Sequence, residues 1–150
     1  MLIEVFFIWD NTPTIEGAAM DSLHLLEGMK ELAKQDMDLQ DLLDSHDFPT
    51  LAKDTKKAEE SEDSDFVFSV GDRVQAFYDA VLNLAIDKEI PWHAYNERIM
   101  QRFIDRKTDD TPQSEIIYNV FGFISIHVCN KLFDRTAELL SVMRDDSSTP

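Results

Sequence analysis

The sequence predicts a mainly α fold, a single-domain helical bundle of about five helices over residues 1–150. Three observations carry this. Apolar residues recur at intervals of three and four through most of the chain. Gly and Pro number only four and five, too few turn residues for a sandwich or barrel. Hydrophobic residues make up 43%, including ten Phe, which is enough apolar material to build a core at 150 residues.

The elements follow in chain order. Residues 2–9, Leu-Ile-Glu-Val-Phe-Phe-Ile-Trp, are β-branched and aromatic and too short for a clear helix. They read as a short N-terminal β-strand with Phe66-Val67-Phe68 as its best partner, which keeps an α+β variant open. An extended arm packed on helices fits the same residues. Thr12-Pro13 is a helix start, a hydroxyl cap with proline in the first turn, and Ile15, Ala19, Leu23, Leu26, Met29 and Ala33 continue it to about 35. A shorter helix around Leu39, Leu42 and Leu43 stops near Phe48-Pro49, and a further helical turn is open around 50–58.

Residues 53–65 contain no hydrophobic residue larger than Ala and are expected to be a mobile acidic loop. Ser69 and Asp72 form a capping pair for a helix over about 70–88. Pro91 opens another, carrying Trp92, Ile99 and Phe103 to about Lys107, and Thr111-Pro112 repeats the cap-plus-proline start. From Ile116 to Asn130 no residue is charged, and Asn119, His127, Asn130, Asp134 and Glu138 fall near one helical stripe. This reads as the central buried helix, running to about 144. A strand or hairpin turning at Gly122 is the rival reading. Residues 145–150 are expected to fray.

The net charge of −16 repels nucleic acid and anionic membranes and attracts basic surfaces. It is unevenly spread. Residues 1–52 hold eleven acids and two bases, whereas residues 66–107 hold six of each. Asp36, Asp38, Asp41, Asp44 and Asp47 crowd one short helix, where spacing by three sets carboxylates on neighbouring turns. Arg98, Arg102 and Arg106, spaced by four, form the one basic row. A row of this kind pairs with acids of its own chain or with a helix C-terminal pole more readily than it contacts nucleic acid.

Chemistry-bearing motifs are absent from the sequence. Four glycines write neither a dinucleotide fingerprint nor a phosphate loop. His24, His46, His93 and His127 lie in separate segments without metal-ligand spacing, and Cys129 stands alone among apolar residues. No cofactor, metal or catalytic residue is therefore expected. The N-terminus lacks a basic region, and Glu4 and Asp10 bound its short apolar run, so a signal peptide is not expected. No stretch is expected to approach the roughly 20 apolar residues that a membrane span requires, and the expected compartment is the cytoplasm.

The reading that results is a non-catalytic acidic module docking on a basic partner protein, as immunity proteins, antitoxin-like inhibitors and nucleic-acid mimics do. The docking residues nominated are Asp36, Asp38, Asp41, Asp44 and Asp47, with Phe48, Trp9 and Trp92 as aromatic anchors at element boundaries. No direct contact with nucleic acid or membrane is expected. A homodimeric assembly or chaperone-like helper is the first alternative, and a helical-bundle enzyme built on scattered His and acids the second.

Overall fold

In a computed structural model of the chain, the described residues run from 22 to 148, with side chains described over 25–142. They form six helices and no strand. The expected N-terminal strand, the Thr12-Pro13 helix start and Trp9 lie outside the described residues.

Helix α1, Ser22–Ala33, is the described part of the helix expected over 13–35, and it buries Leu25, Leu26, Met29, Leu32 and Ala33. Helix α2, Met37–Ser45, begins at Asp36, whose carboxylate accepts the Leu39 backbone N–H at 3.1 Å. Leu39 and Leu43 turn inward, four residues apart. Phe48-Pro49 does not merely stop this helix. It opens helix α3, Phe48–Glu60, with proline in the first turn, where a missing N–H costs nothing. Asp47 makes the corner between them in the left-handed region, φ 48°.

The expectation of a mobile loop over 53–65 is overturned. Residues up to Glu60 continue α3, and only 61–63 separate it from the next helix. The contact with the bundle is made by small side chains. Thr55 and Ala58 are fully buried, and the Thr55 hydroxyl donates to the Leu51 carbonyl at 2.8 Å, so it needs no external partner. Asp54 meets Arg73 at 2.9 Å, and Glu59 meets Lys131 at 2.8 Å.

Helix α4, Ser64–Asp87, starts earlier than expected. Its cap is Asp63, accepting from the Asp65 and Phe66 N–H groups, while Ser69 and Asp72 lie inside it. Phe66, Val67 and Phe68 are helical and offer no strand edge. Pro91 opens no helix. The chain crosses over residues 88–96, and helix α5, Glu97–Arg106, begins at Asn96, whose side chain accepts the Ile99 N–H at 3.0 Å. Helix α6, Gln113–Ser148, settles residues 116–130 as helix and continues through the residues expected to fray; Thr149 and Pro150 are outside the described residues.

Helix α6 is the centre of the fold. Ile117 to Ser125 are buried without interruption. Over 113–142 it is long and apolar enough to cross a membrane by length and composition, which corrects the expectation that no stretch approaches such a span, yet 67% of the apolar window is buried inside the bundle. It serves here as a core helix. Helix α4 lies antiparallel along it, with the Cys129 thiol 3.6 Å from the Gly71 carbonyl. A methyl group at Gly71 would reach the Phe133 ring edge at 2.9 Å, a neighbour able to swing.

Gly122 is tighter. A Cβ there would fall within the Trp92 ring and press on Ala94 at 2.9 Å. Gly122→Ala is therefore expected to lower stability by about 1–3 kcal/mol, despite alanine's better helix propensity. Urea denaturation followed by circular dichroism checks this, and Gly71→Ala is expected to cost less.

Candidate functional site

The nominated acids divide into two groups. Asp36 and Asp38 belong to the fold. Asp36 caps α2 and also accepts the Tyr118 hydroxyl of α6 at 3.1 Å. Asp38 pairs with Lys88 at the end of α4. Asp41 and Asp44 stand exposed on the side of α2 opposite Leu39 and Leu43, and Asp47 is exposed at the following corner. No described base forms an ion pair with these three.

The two nominated aromatics among the described residues, Phe48 and Trp92, pack within the fold. Phe48 is 1% exposed and packs on Phe77 with ring centroids 5.6 Å apart, so it cannot anchor a partner without leaving the core. Its position at a helix boundary marks a corner where the chain turns back into the bundle. Trp92 is half-buried, and its indole N–H donates to the Tyr78 hydroxyl at 3.3 Å, which in turn donates to the Ala94 carbonyl at 2.9 Å. Trp92 thereby holds the 88–96 crossing against α4 and Gly122. Trp9 lies outside the described residues.

The basic row occupies the outer face of α5. Met100, Phe103 and Ile104 are buried, and Arg98, Arg102 and Arg106 are exposed, paired with no described acid. The expectation that they pair with acids of their own chain is not met among the described residues.

A polar cluster absent from the sequence reading joins the crossing to α6. The His93 backbone N–H donates to the Asn119 side-chain oxygen at 2.6 Å, and the Asn119 amide donates to the carbonyls of Pro91 and Glu115 at 2.9 and 2.7 Å. The His93 ring meets Glu115 at 2.9 Å and stacks on Phe103 at 4.3 Å, nearly parallel at 8°. Asn119, one of the polar stripe, is fully buried, and these contacts supply its partners. The arrangement is a clasp between the crossing, α5 and α6. His127 lines a different cavity of about 330 Å³ with Asn130 and Asp134, so the two histidines do not share a site. Among the described residues no three His, Cys, Asp or Glu converge as metal ligands.

Burial pushes the Cys129 thiol up to about 11, with Asp79 and Asp72 adding to the effect. Relative to an ordinary 9.0, its thiolate fraction at pH 8 falls roughly a hundredfold. Iodoacetamide labelling of the native protein at pH 8 is expected to be at least about that much slower than in urea, and mass spectrometry measures it.

Burial also raises Tyr118 well above the ordinary 10.0, and the neighbouring Asp36 carboxylate pushes it the same way. The folded chain then keeps a proton that the unfolded chain has lost. That contribution to stability is whole below pH 10 and is lost as pH climbs above it towards the raised value. Urea midpoints measured from pH 9 to 11 are expected to fall, and Tyr118→Phe to fall less steeply.

Sequence reasoning missed the His93–Glu115–Asn119 clasp because its members are far apart in the chain. It also missed four lysines gathered by α1 and α3, because residues 53–65 lack the large side chains by which a helix is usually noticed. No family model matches this chain, and no curated protein and no solved structure does.

Proposed function

We propose that the chain is a non-catalytic, acidic protein-binding module of the cytoplasm that docks on a basic surface of a partner protein, as an immunity protein, antitoxin-like inhibitor or nucleic-acid mimic does. One observation carries this reading. Helix α2 commits Leu39 and Leu43 to the core and presents Asp41 and Asp44 outward, with Asp47 beside them and no base in its last turn. Carboxylates so placed repel one another and oppose the negative pole of their own helix, so local stability does not favour them. A basic partner would relieve both. The field of a chain at −16 would speed its arrival, and the contact would be sensitive to salt. Asp36 and Asp38 would act indirectly, by fixing α2 on α4 and α6.

Self-association is the alternative that a specific observation favours. Phe68 is 52% exposed against Phe133, and Leu140 and Val142 stand 46% and 58% exposed further along α6. A second copy covering these residues would bury apolar area and be insensitive to salt.

The test couples capture to kinetics. The tagged protein is used to isolate a basic partner, and association rates are measured across salt concentrations for the wild type and for Asp41→Asn/Asp44→Asn. The double variant is expected to associate roughly three- to tenfold more slowly at low salt, with dissociation little changed. Rates indifferent to both salt and substitution overturn the docking reading. A solution mass twice that of the chain, unchanged in high salt, would move the interface to Phe68, Leu140 and Val142.

A further inference from the structure

Between α1 and α3 lies a cavity of about 440 Å³, within the size range of small-molecule sites. Buried Leu26, Phe48 and Ala52 form its floor, with Pro49 beside them. Lys30 of α1 and Lys53, Lys56 and Lys57 of α3 stand exposed around it. The chain has 14 Lys and Arg against 30 Asp and Glu, yet four of those bases converge on this one groove.

Two features separate this from a solvated lysine face. None of the four ammonium groups forms an ion pair with a described residue, although Glu27 and Glu60 line the same groove. The local balance is thus four cations to two anions in a strongly acidic molecule. Helix polarity explains only part of the placement. Lys30 and Lys57 lie in the last turns of their helices, where the dipole favours a cation. Lys53 and Lys56 do not, and they flank the apolar floor.

We propose that this groove binds a small amphipathic carboxylate, an apolar chain or ring with one anionic head. The apolar part would lie over this floor, against Pro49 and the methylene stems of Lys53 and Lys56, and the carboxylate would accept hydrogen bonds from the Lys53 and Lys56 ammonium groups. The charge of the whole molecule sets the upper limit on the ligand. At −16 the long-range field repels polyanions and anionic membrane surfaces, whereas a single carboxylate meets mainly the local excess of ammonium groups. A neutral apolar molecule would find the floor but leave the lysines unpaired. The site is separate from the acids of α2 and does not depend on the docking reading.

The experiment titrates the full chain with decanoate below its micelle concentration and follows backbone amide shifts. Saturable one-to-one binding is expected, with the largest shifts around Leu26, Phe48 and Ala52. Decanol is expected to bind about tenfold more weakly, and Lys53→Gln/Lys56→Gln to weaken decanoate by about the same factor. Lys53→Arg/Lys56→Arg keeps the charge and is expected to keep binding, as is Asp41→Asn/Asp44→Asn. All four positions are exposed, so circular dichroism should match the wild type. The proposal is overturned by the absence of saturable shifts at these residues, by decanol binding as well as decanoate, or by an unchanged Lys→Gln double variant. Binding to phosphatidylglycerol vesicles without binding to free decanoate would overturn it as well.

Discussion

The placement of the other elements depends on the antiparallel packing of α4 along α6. Helix α6 carries an unbroken buried run from Ile117 to Ser125, which is stable only if other elements cover it on several sides. Gly71 provides close approach at one point, bringing the α4 backbone to the Cys129 thiol and its surface against Leu132 and Phe133. Polar residues on the buried helix could have spoiled this packing. Ser125 and Thr136 instead return their hydroxyls to the carbonyls of Phe121 and Leu132, one turn back, at 2.8 and 2.9 Å. Asn119 cannot satisfy itself in that way, and its demand for partners is what fixes the 88–96 crossing on α6.

The remaining elements are fastened to this pair by polar contacts at its rim. Tyr118 and Lys88 reach Asp36 and Asp38 of α2, Arg73 and Lys131 reach Asp54 and Glu59 of α3, and Arg135 donates to the Ser61 carbonyl. Exposed ion pairs of this kind contribute little stability each, on the order of 0–1 kcal/mol. Their larger effect is to sort the acids. Among the acids of α2, Asp36 and Asp38 are partnered from α6 and α4, and Asp41 and Asp44 are left without an ion pair on its outer side, with Asp47 at the corner after it.

Periodicity was enough to find the helices, because burial on one face writes a spacing of three and four into any sequence. It failed at their ends. Ser69 and Pro91 looked like helix starts and Phe48-Pro49 like a stop, but two of the helices start at the caps Asp63 and Asn96, and Phe48-Pro49 itself opens a helix behind Asp47. It failed again at 53–60, where Thr55 and Ala58 make the contact and a scale built on large side chains registers nothing. The acidic row was legible as a row. Its division was not, because the partner that claims Asp36 is Tyr118, 82 residues away. The lysine groove was hidden for a related reason, since Lys53, Lys56 and Lys57 acquire a common face only once α3 is a helix.

A short helix bearing Asp41 and Asp44 also raises the question of what holds it. Its nine residues are below the length at which an isolated helix persists in water, and its last turn lacks a base to meet the dipole. The cap at Asp36, the Tyr118 hydrogen bond, the Lys88 ion pair and the burial of Leu39 and Leu43 therefore have to outweigh the repulsion on its outer face. All of these act from the inner face or the N-terminal end. The outer face is left without any contact that would penalise binding there, and a partner could neutralise it without displacing the residues that keep the helix folded. An acid placed for stability would sit in the first turn, as Asp38 does. Asp41 and Asp44 sit where stability is served least, and that placement is the strongest physical argument for assigning them a task outside the fold.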